Sequence, residues 1–110
     1  MDGVMALNEL NDLQKRATGA VKVFREHGIE LARLDAFYKE AYTEEILKLR
    51  ADGMAVTIIE KVAQGNIAHK RLKRDIAEVN YKASQEELYN LRLKIRVLEA
   101  QIKMEWFNNE

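Results

Sequence analysis

The pattern of apolar positions is most regular in the last part of the chain. Residues 67–107 contain neither glycine nor proline. Within them apolar side chains recur in alternating steps of three and four, a heptad pattern interrupted only by a serine. Its positions are Tyr81, Ser84, Leu88, Leu91, Ile95, Leu98 and Ile102. This spacing predicts one continuous α-helix over about 67–107, roughly 60 Å long, which needs a second helix along its flank.

A similar pattern fills the first half of the chain and predicts a helix over about 4–51. Its apolar positions are Leu10, Leu13, Ala17, Ala20, Phe24, Leu31, Leu34, Tyr38, Ala41, Ile46 and Leu49. The sequence His27-Gly28-Ile29 is typical of a helix C-terminus, where glycine takes the left-handed position. Because the apolar phase continues across Gly28, we expect a kink or short break near residue 28 with both pieces on one axis.

The segment between the two long helices contains turn and capping signals. Gly53 can take the positive φ of a residue that follows a helix, and Met54 can supply the accompanying apolar contact. Thr57 and Glu60 have the spacing of a capping box, which predicts a short helix over about 57–64.

The two long segments match in length, which predicts how they pair. Two helices of equal length that are joined by a compact connector fold back on each other. We therefore expect one all-α domain over 1–110, a long coiled-coil-like antiparallel hairpin with a short connecting helix. In that register Gly28 lies opposite the neighbourhood of Asn90, and Trp106 and Phe107 lie near Leu10.

A second apolar line follows another side of the last helix. It comprises Tyr89, Leu93, Val97, Ala100, Met104 and Phe107. One interpretation is that this wide stripe packs beneath the bulkier residues of the first helix. The other is that a further neighbour covers it, because a helix that is apolar on two sides needs one. We favour the second interpretation and expect a homo-oligomer or a protein-binding face. Trp106 at the helix end is either packed on the first helix or exposed as an anchor.

Basic residues cluster at the start of the last helix. Lys70, Arg71, Lys73 and Arg74 lie where the helix dipole disfavours cations. One hypothesis is a contact with phosphates or with an acidic protein. The alternative is a solvated face that nearby carboxylates partly neutralise.

Composition excludes several classes of function. Eighteen basic and eighteen acidic residues give a formal net charge of zero, so no net field draws the chain to nucleic acid or to an anionic membrane. Without cysteine there are no disulfides or thiolate metal sites. His27 and His69 are far apart in sequence, and no phosphate-binding glycine loop is present. We expect no metal, no cofactor, no membrane span and no enzymatic activity.

Several strings in residues 25–106 resemble a group of small α-helical proteins of phages, prophages and mobile elements of Gram-positive bacteria. The strings are Leu49-Arg50-Ala51-Asp52-Gly53-Met54-Ala55-Val56-Thr57, Ala63-Gln64-Gly65, Lys73-Arg74-Asp75-Ile76-Ala77-Glu78-Val79-Asn80-Tyr81-Lys82-Ala83 and Arg96-Val97-Leu98-Glu99-Ala100-Gln101-Ile102, followed by Trp106. Members of the group commonly have arginine before the final Glu-Trp, whereas this chain has Met104. The resemblance implies an early or accessory phage product in the bacterial cytoplasm, and it assigns no site residues.

These observations favour a non-catalytic helical protein-binding module or inhibitor, acting on a host protein, including a defence protein, or on a phage protein. The alternative is an accessory nucleic-acid-binding protein of a phage recombination or replication module, with Lys70, Arg71, Lys73 and Arg74 on phosphates. A structural coiled-coil component of the virion is a further alternative.

Overall fold

The computed structural model of the chain describes residues 3–108. They form three α-helices, α1 (Gly3–Ala51), α2 (Val56–Asn66) and α3 (Ala68–Asn108). No strand occurs among these residues. The predicted all-helical fold with two long helices and a short one is therefore confirmed. The short helix α2 begins one residue earlier and ends two residues later than the pattern predicts.

The chain divides into two compact units. The terminal unit comprises Met1–Glu26 and Lys82–Glu110, and the turn unit comprises His27–Tyr81. Each unit contains a portion of α1 and a portion of α3, and the turn unit also contains α2.

In the terminal unit the two long helices pack through the predicted heptad seam. The buried core consists of Ala6, Leu13, Leu91 and Leu98, and partly buried Leu10, Ala17, Ala20, Ile95 and Ile102 pack against it. Ser84 is buried within the same seam, at 8% exposure. Leu13 of α1 borders one groove with Leu98, and Ala20 borders another with Leu91. Ascending positions on α1 thus meet descending positions on α3, as an antiparallel pair requires.

The turn unit has its own apolar core at the end of α1. It is formed by buried Leu49, Ile59 and Ala63, with Tyr42, Ile46, Met54 and Val62 packed around them. Since this cluster joins α1 and α2, α2 packs directly along the last turns of α1. It is the first part of the returning arm of the hairpin.

The turn between α1 and α2 confirms the prediction for Gly53. Its φ is +82°, the only positive value among the described residues. The Gly53 N–H donates to the Arg50 carbonyl and the Met54 N–H donates to the Leu49 carbonyl, each at 3.0 Å. Met54 also packs against the apolar cluster that contains Leu49. These bonds and this contact form a Schellman motif, which satisfies carbonyls at the helix end.

The predicted capping box at Thr57 is wrong. The N-cap of α2 is Ala55, whose backbone is extended (φ −61°, ψ 134°), and no side chain caps the helix. Instead the Ile58 N–H donates to the Ala55 carbonyl at 3.2 Å. The Schellman motif reverses the chain by Met54, so the helix begins at Val56 and Thr57 is already inside its first turn.

The predicted register of the long helices is also wrong. A Cβ atom added to Gly28 would lie 3.3 Å from Cε2 of Tyr81, so Gly28 faces Tyr81 and not the neighbourhood of Asn90. Seven residues further along α1, Asp35 pairs with Arg74, seven residues back along α3. The prediction placed α2 outside the hairpin as a connector, whereas α2 occupies the end of α1 and displaces α3 along it.

We expected a kink or a short break near residue 28; helix α1 runs through Gly28 without a break, so the break is wrong. The absence of a side chain at Gly28 has a different structural role. It makes room for the ring of Tyr81, which lies in van der Waals range of the position where a Cβ would be. Glycine here permits a close approach between α1 and α3 within the turn unit.

Candidate partner-binding surfaces

The second apolar line of α3 is exposed in the terminal unit. We define the α3 apolar face as Tyr89, Leu93, Val97, Met104 and Phe107; Trp106 lies on another side of the helix. The exposed fractions of the face residues range from 44% for Leu93 to 66% for Met104, and Trp106 is 72% exposed. Ala100, which lies on the same line, is exposed as well. The interpretation that this stripe packs beneath α1 is therefore wrong: the seam residues take up the contact with α1, and this line lies to one side of them.

A shallow groove runs beside the α3 apolar face. Leu93 and Val97 line it together with buried Leu13 and Leu98. Its volume is about 480 Å³, and Arg16 and Lys94 are among the charged residues that border it. The apolar face is thus continuous with an indentation between α1 and α3. A partner could therefore cover the face and also insert a side chain into the groove.

The equal-length register predicted that Trp106 and Phe107 lie near Leu10. They do not pack there. Leu10 packs against the core of Ala6, Leu13, Leu91 and Leu98, and Ile102 is the last residue of α3 in that cluster. Trp106 and Phe107 remain mostly exposed. The reason is the shifted register, which brings the last turn of α3 opposite the start of α1 and leaves these two rings beyond the seam.

The basic cluster of α3 is divided between two environments in the turn unit. Arg74 lies in the seam, where its side chain is only 27% exposed. Its Nη1 atom is 3.4 Å from Oδ1 of Asp35 on α1, and its Nη2 atom is 3.0 Å from Oδ1 of Asp75. The guanidinium also lies over the ring of Tyr38, 5.2 Å from its centroid. Arg74 therefore acts within the fold and is not presented to a ligand.

The charges of this seam cluster influence one another. The side-chain hydrogen bond from Lys39, 2.9 Å away, is the largest cause that holds the pKa of Asp35 below its usual value, and Arg74 adds to it. Burial alone lowers the pKa of Arg74, but the carboxylates of Asp75 and Asp35 outweigh it and raise that pKa. Both groups are thus held in their charged forms.

The other three cations of the cluster are exposed on α3. Arg71 is 3.9 Å from Asp75, so its charge is partly balanced. Lys70 and Lys73 form no ion pair with any residue of the described range 3–108. Of the four predicted site cations, only these two have no carboxylate partner among residues 3–108.

Lys70 and Lys73 border an indentation of the turn unit, which we call the α1–α3 groove. Its volume is about 530 Å³. From α1 it is lined by His27, Glu30, Arg33, Leu34 and Phe37, and from α3 by Lys70, Lys73, Ile76, Ala77 and Asn80. Apolar side chains thus face each other along its length, with basic side chains beside them.

Within the α1–α3 groove, Arg33 and Glu30 neutralise each other. Nη2 of Arg33 is 2.6 Å from Oε1 of Glu30 and Nε is 3.0 Å from Oε2, a bidentate pair. This bond lowers the pKa of Glu30 and raises that of Arg33. The Arg33 guanidinium also covers the ring of Phe37, 5.6 Å from its centroid.

The sequence pattern did not predict that Asp35 pairs with Arg74 in the seam, or that Phe37 and Ile76 line a groove beside Lys70 and Lys73. One signal was available for Arg74 itself. Arg74 lies seven residues before Tyr81, so extending the heptad pattern backwards places it in the seam. No comparable signal existed for the groove, because its walls come from two helices and depend on their register.

Within residues 3–108, no group of three or more histidine, aspartate or glutamate side chains is placed to hold a metal ion. Over the same range no helix combines the length and apolar character needed to cross a membrane. Comparison of the chain with protein-family models, curated proteins and solved structures gives no match. The geometry of the two surfaces is therefore the basis for the functional proposal.

Proposed function

We propose that this chain is a non-catalytic, phage-encoded protein-binding module or inhibitor that acts on a host or phage protein in the bacterial cytoplasm. The observation that carries the proposal is the α3 apolar face, with five large apolar side chains exposed along one side of the helix. Contiguous exposed apolar surface of this kind is typical of protein interaction sites and is rare on soluble monomers.

The composition of the α3 apolar face supports a protein partner. Tyr89 belongs to the residue types that dominate binding energy at interfaces, and Leu93, Val97 and Met104 supply apolar area on the same side of the helix. Burying a side chain of this size contributes about 1.5–3 kcal/mol relative to leaving it exposed. A few such residues are enough to outweigh the entropy lost on association.

The alternative, an accessory nucleic-acid-binding protein, has less support from the arrangement of charges. Arg74 is engaged with Asp35 and Asp75, and Arg71 lies beside Asp75. Lys70 and Lys73 alone are a small phosphate-binding set, and the chain has no net positive charge to reinforce them. A gel shift with single- and double-stranded DNA and RNA at low salt tests this alternative directly.

The proposal is tested by affinity capture and mass spectrometry from a Gram-positive host, before and during phage infection, with the wild-type chain and two variants. The first variant, Leu93→Gln with Val97→Gln, changes the α3 apolar face. The matched control, Leu47→Gln with Val56→Gln, makes the same kind of change at apolar side chains of the turn unit that are also exposed. Circular dichroism checks that all three chains are equally helical.

We expect one or more proteins that the wild type and the control capture and the face variant loses. Equal capture by all three chains, or no capture above background in either condition, would contradict the proposal. A mass measurement of the free protein completes the test, because a second copy of this chain is also a protein partner. If the face mediates self-association, the face variant is smaller in solution than the wild type and the control.

A further inference from the structure

The α1–α3 groove of the turn unit has a defined length. Its lining residues extend from His27 to Phe37 on α1 and from Lys70 to Asn80 on α3, eleven residues and ten helical steps along each wall. At the rise of an α-helix this corresponds to about 15 Å, or about three helical turns. A groove between two helices with these dimensions fits one further short helix along it.

The apolar side chains of the groove lie on both walls. Leu34 and Phe37 belong to α1, and Ile76 and Ala77 belong to α3. Phe37 and Ile76 are each about half exposed, whereas Ala77 is buried. An occupant therefore needs apolar side chains at helical spacing on the side that faces the groove.

The charges around the groove determine which charged side chains an occupant should have. Arg33 and Glu30 form a closed pair, so neither contributes a net charge. Lys70 and Lys73 lie about one turn apart on α3 and have no ion-pair partner within residues 3–108. The remaining field of the groove is positive, so an occupant with acidic side chains is favoured over a neutral or basic one.

A protein segment fits these features better than a nucleic acid does. Bases bind to proteins by stacking on aromatic faces, and Arg33 already covers one face of Phe37. The charged backbone of a nucleic acid would also gain nothing from contact with the aliphatic side chains of Leu34 and Ile76. Phosphate contacts would involve Lys70 and Lys73 alone and leave the apolar part of the groove unoccupied.

We propose that the α1–α3 groove binds an acidic amphipathic helix of about three turns from a partner protein. Its apolar side chains insert between Phe37 and Ile76, and its carboxylates pair with Lys70 and Lys73. The inference rests on the proposed function only in that it takes the chain to be a protein-binding module. It concerns a different unit from the α3 apolar face, and the two surfaces are tested by different variants.

The test uses fluorescently labelled, stapled helical peptides of twelve residues and the full-length chain, with binding followed by fluorescence anisotropy. The peptides have Leu, Ile, Phe, Met or Trp at the central apolar position and glutamates along one flank. A second set has glutamine in place of every glutamate. Stapling is needed because free helices of about this length are marginal in water.

The protein variants separate charge from shape. Lys70→Gln with Lys73→Gln removes the two groove cations, and Lys22→Gln with Lys61→Gln removes two lysines outside the groove as a matched control. Phe37→Ser removes an apolar wall residue that is half exposed and does not belong to a buried core. The face variant with Leu93→Gln and Val97→Gln tests whether the terminal unit takes part.

We expect at least one glutamate peptide to bind in a saturable way. The Lys70/Lys73 variant should bind it about tenfold more weakly, the glutamine peptides should lose a similar factor, and Phe37→Ser should also weaken binding. The Lys22/Lys61 control and the face variant should bind as the wild type does. In that case the groove is assigned whatever the capture experiment finds for the α3 apolar face.

Several results would overturn the inference while leaving the α3 apolar face intact as a binding surface. One is the absence of saturable binding by every glutamate peptide up to about 1 mM. Another is equal binding by the Lys70/Lys73 variant and the wild type. A third is displacement of the peptide by an oligonucleotide that binds more tightly, and a fourth is a free dimer that Phe37→Ser dissociates, which would make a second copy the occupant.

Discussion

The terminal unit and the turn unit pair the same two long helices in different ways. In the terminal unit the seam is aliphatic, with Leu13, Leu91 and Leu98 buried along it. In the turn unit the seam contains Arg74 paired with Asp35, and Tyr81 packed at Gly28. The aliphatic contacts of the terminal unit could form in more than one register of the two helices. The specific pairs of the turn unit form in one register only.

The two seams therefore contribute differently to the fold. Aliphatic contacts along a heptad seam are nondirectional, and their stabilisation grows with the area removed from water. A charged residue within a seam contributes less to stability than an apolar one would, but it specifies the alignment of the helices, because a shifted register leaves its charge without a partner. This comparison leads to four predictions.

The largest expected effect lies in the aliphatic seam. Leu91→Ala or Leu98→Ala should lower the free energy of unfolding by about 2–5 kcal/mol, since each side chain is almost fully buried. Urea unfolding followed by circular dichroism measures the loss. Leu93→Ala, on the exposed face of the same helix, is the matched control and should cost about 0.5 kcal/mol or less. A loss below that value at both seam positions would show that the seam does not hold the terminal unit together.

The next effect concerns the turn unit alone. Gly53→Val should lower the free energy of unfolding by about 1–2 kcal/mol, because a β-branched residue resists the positive φ that the Schellman motif requires. Gly53→Asn is the control, since asparagine tolerates this conformation better than valine. Thermal and urea unfolding of both variants measure the difference. Equal stability of the two variants would contradict the role assigned to the backbone of Gly53.

A smaller effect compares one helical glycine from each unit. A Cβ at Gly19 meets nothing within 4 Å, so Gly19→Ala in the terminal unit should raise the free energy of unfolding by about 0.5–1 kcal/mol. In the turn unit, a Cβ at Gly28 would lie 3.3 Å from Tyr81, so Gly28→Ala should gain less or lose stability. Parallel urea unfolding of the two variants is the measurement. A gain at Gly28 equal to that at Gly19 would remove the argument that Tyr81 fixes the register here.

The smallest effect is a dependence of stability on pH in the turn unit. The pKa of Asp35 is lowered in the folded state, so the folded chain binds fewer protons than the unfolded chain in acid, and stability rises with pH. This contribution is fully present above the ordinary aspartate pKa of about 4 and is lost as the pH falls through the lower, folded value. Urea unfolding at neutral pH and in acid measures it.

The control for this prediction is Asp35→Asn, which cannot titrate at this position. We expect the variant to lose stability at neutral pH and to show a smaller further loss in acid than the wild type. If the acid loss is the same in both chains, the pairing of Asp35 with Lys39 and Arg74 contributes nothing to folding.

Much of the fold could be predicted from local pattern. The spacing of apolar residues located all three helices within a few residues, because burial on one side of a helix imposes a period near 3.6. Gly53 was predicted correctly because a positive φ is a property of one residue and its backbone. The exposed line on α3 was also visible in the sequence, since it is apolar and lies off the heptad seam. Its partner remains a proposal.

Three features could not be predicted from local pattern: the register of α1 against α3, the continuity of α1 at Gly28, and which cations of the basic cluster form ion pairs. A heptad seam looks the same after a shift of seven residues, so its pattern does not choose the alignment of the two helices. That choice depends on pairs that are distant in sequence, above all Gly28 with Tyr81 and Asp35 with Arg74. The sequence by itself determined which residues form helices and where the chain turns. Only the tertiary structure decided which cations are used within the fold and which, Lys70 and Lys73, border a groove, because that division follows from the alignment of α1 with α3.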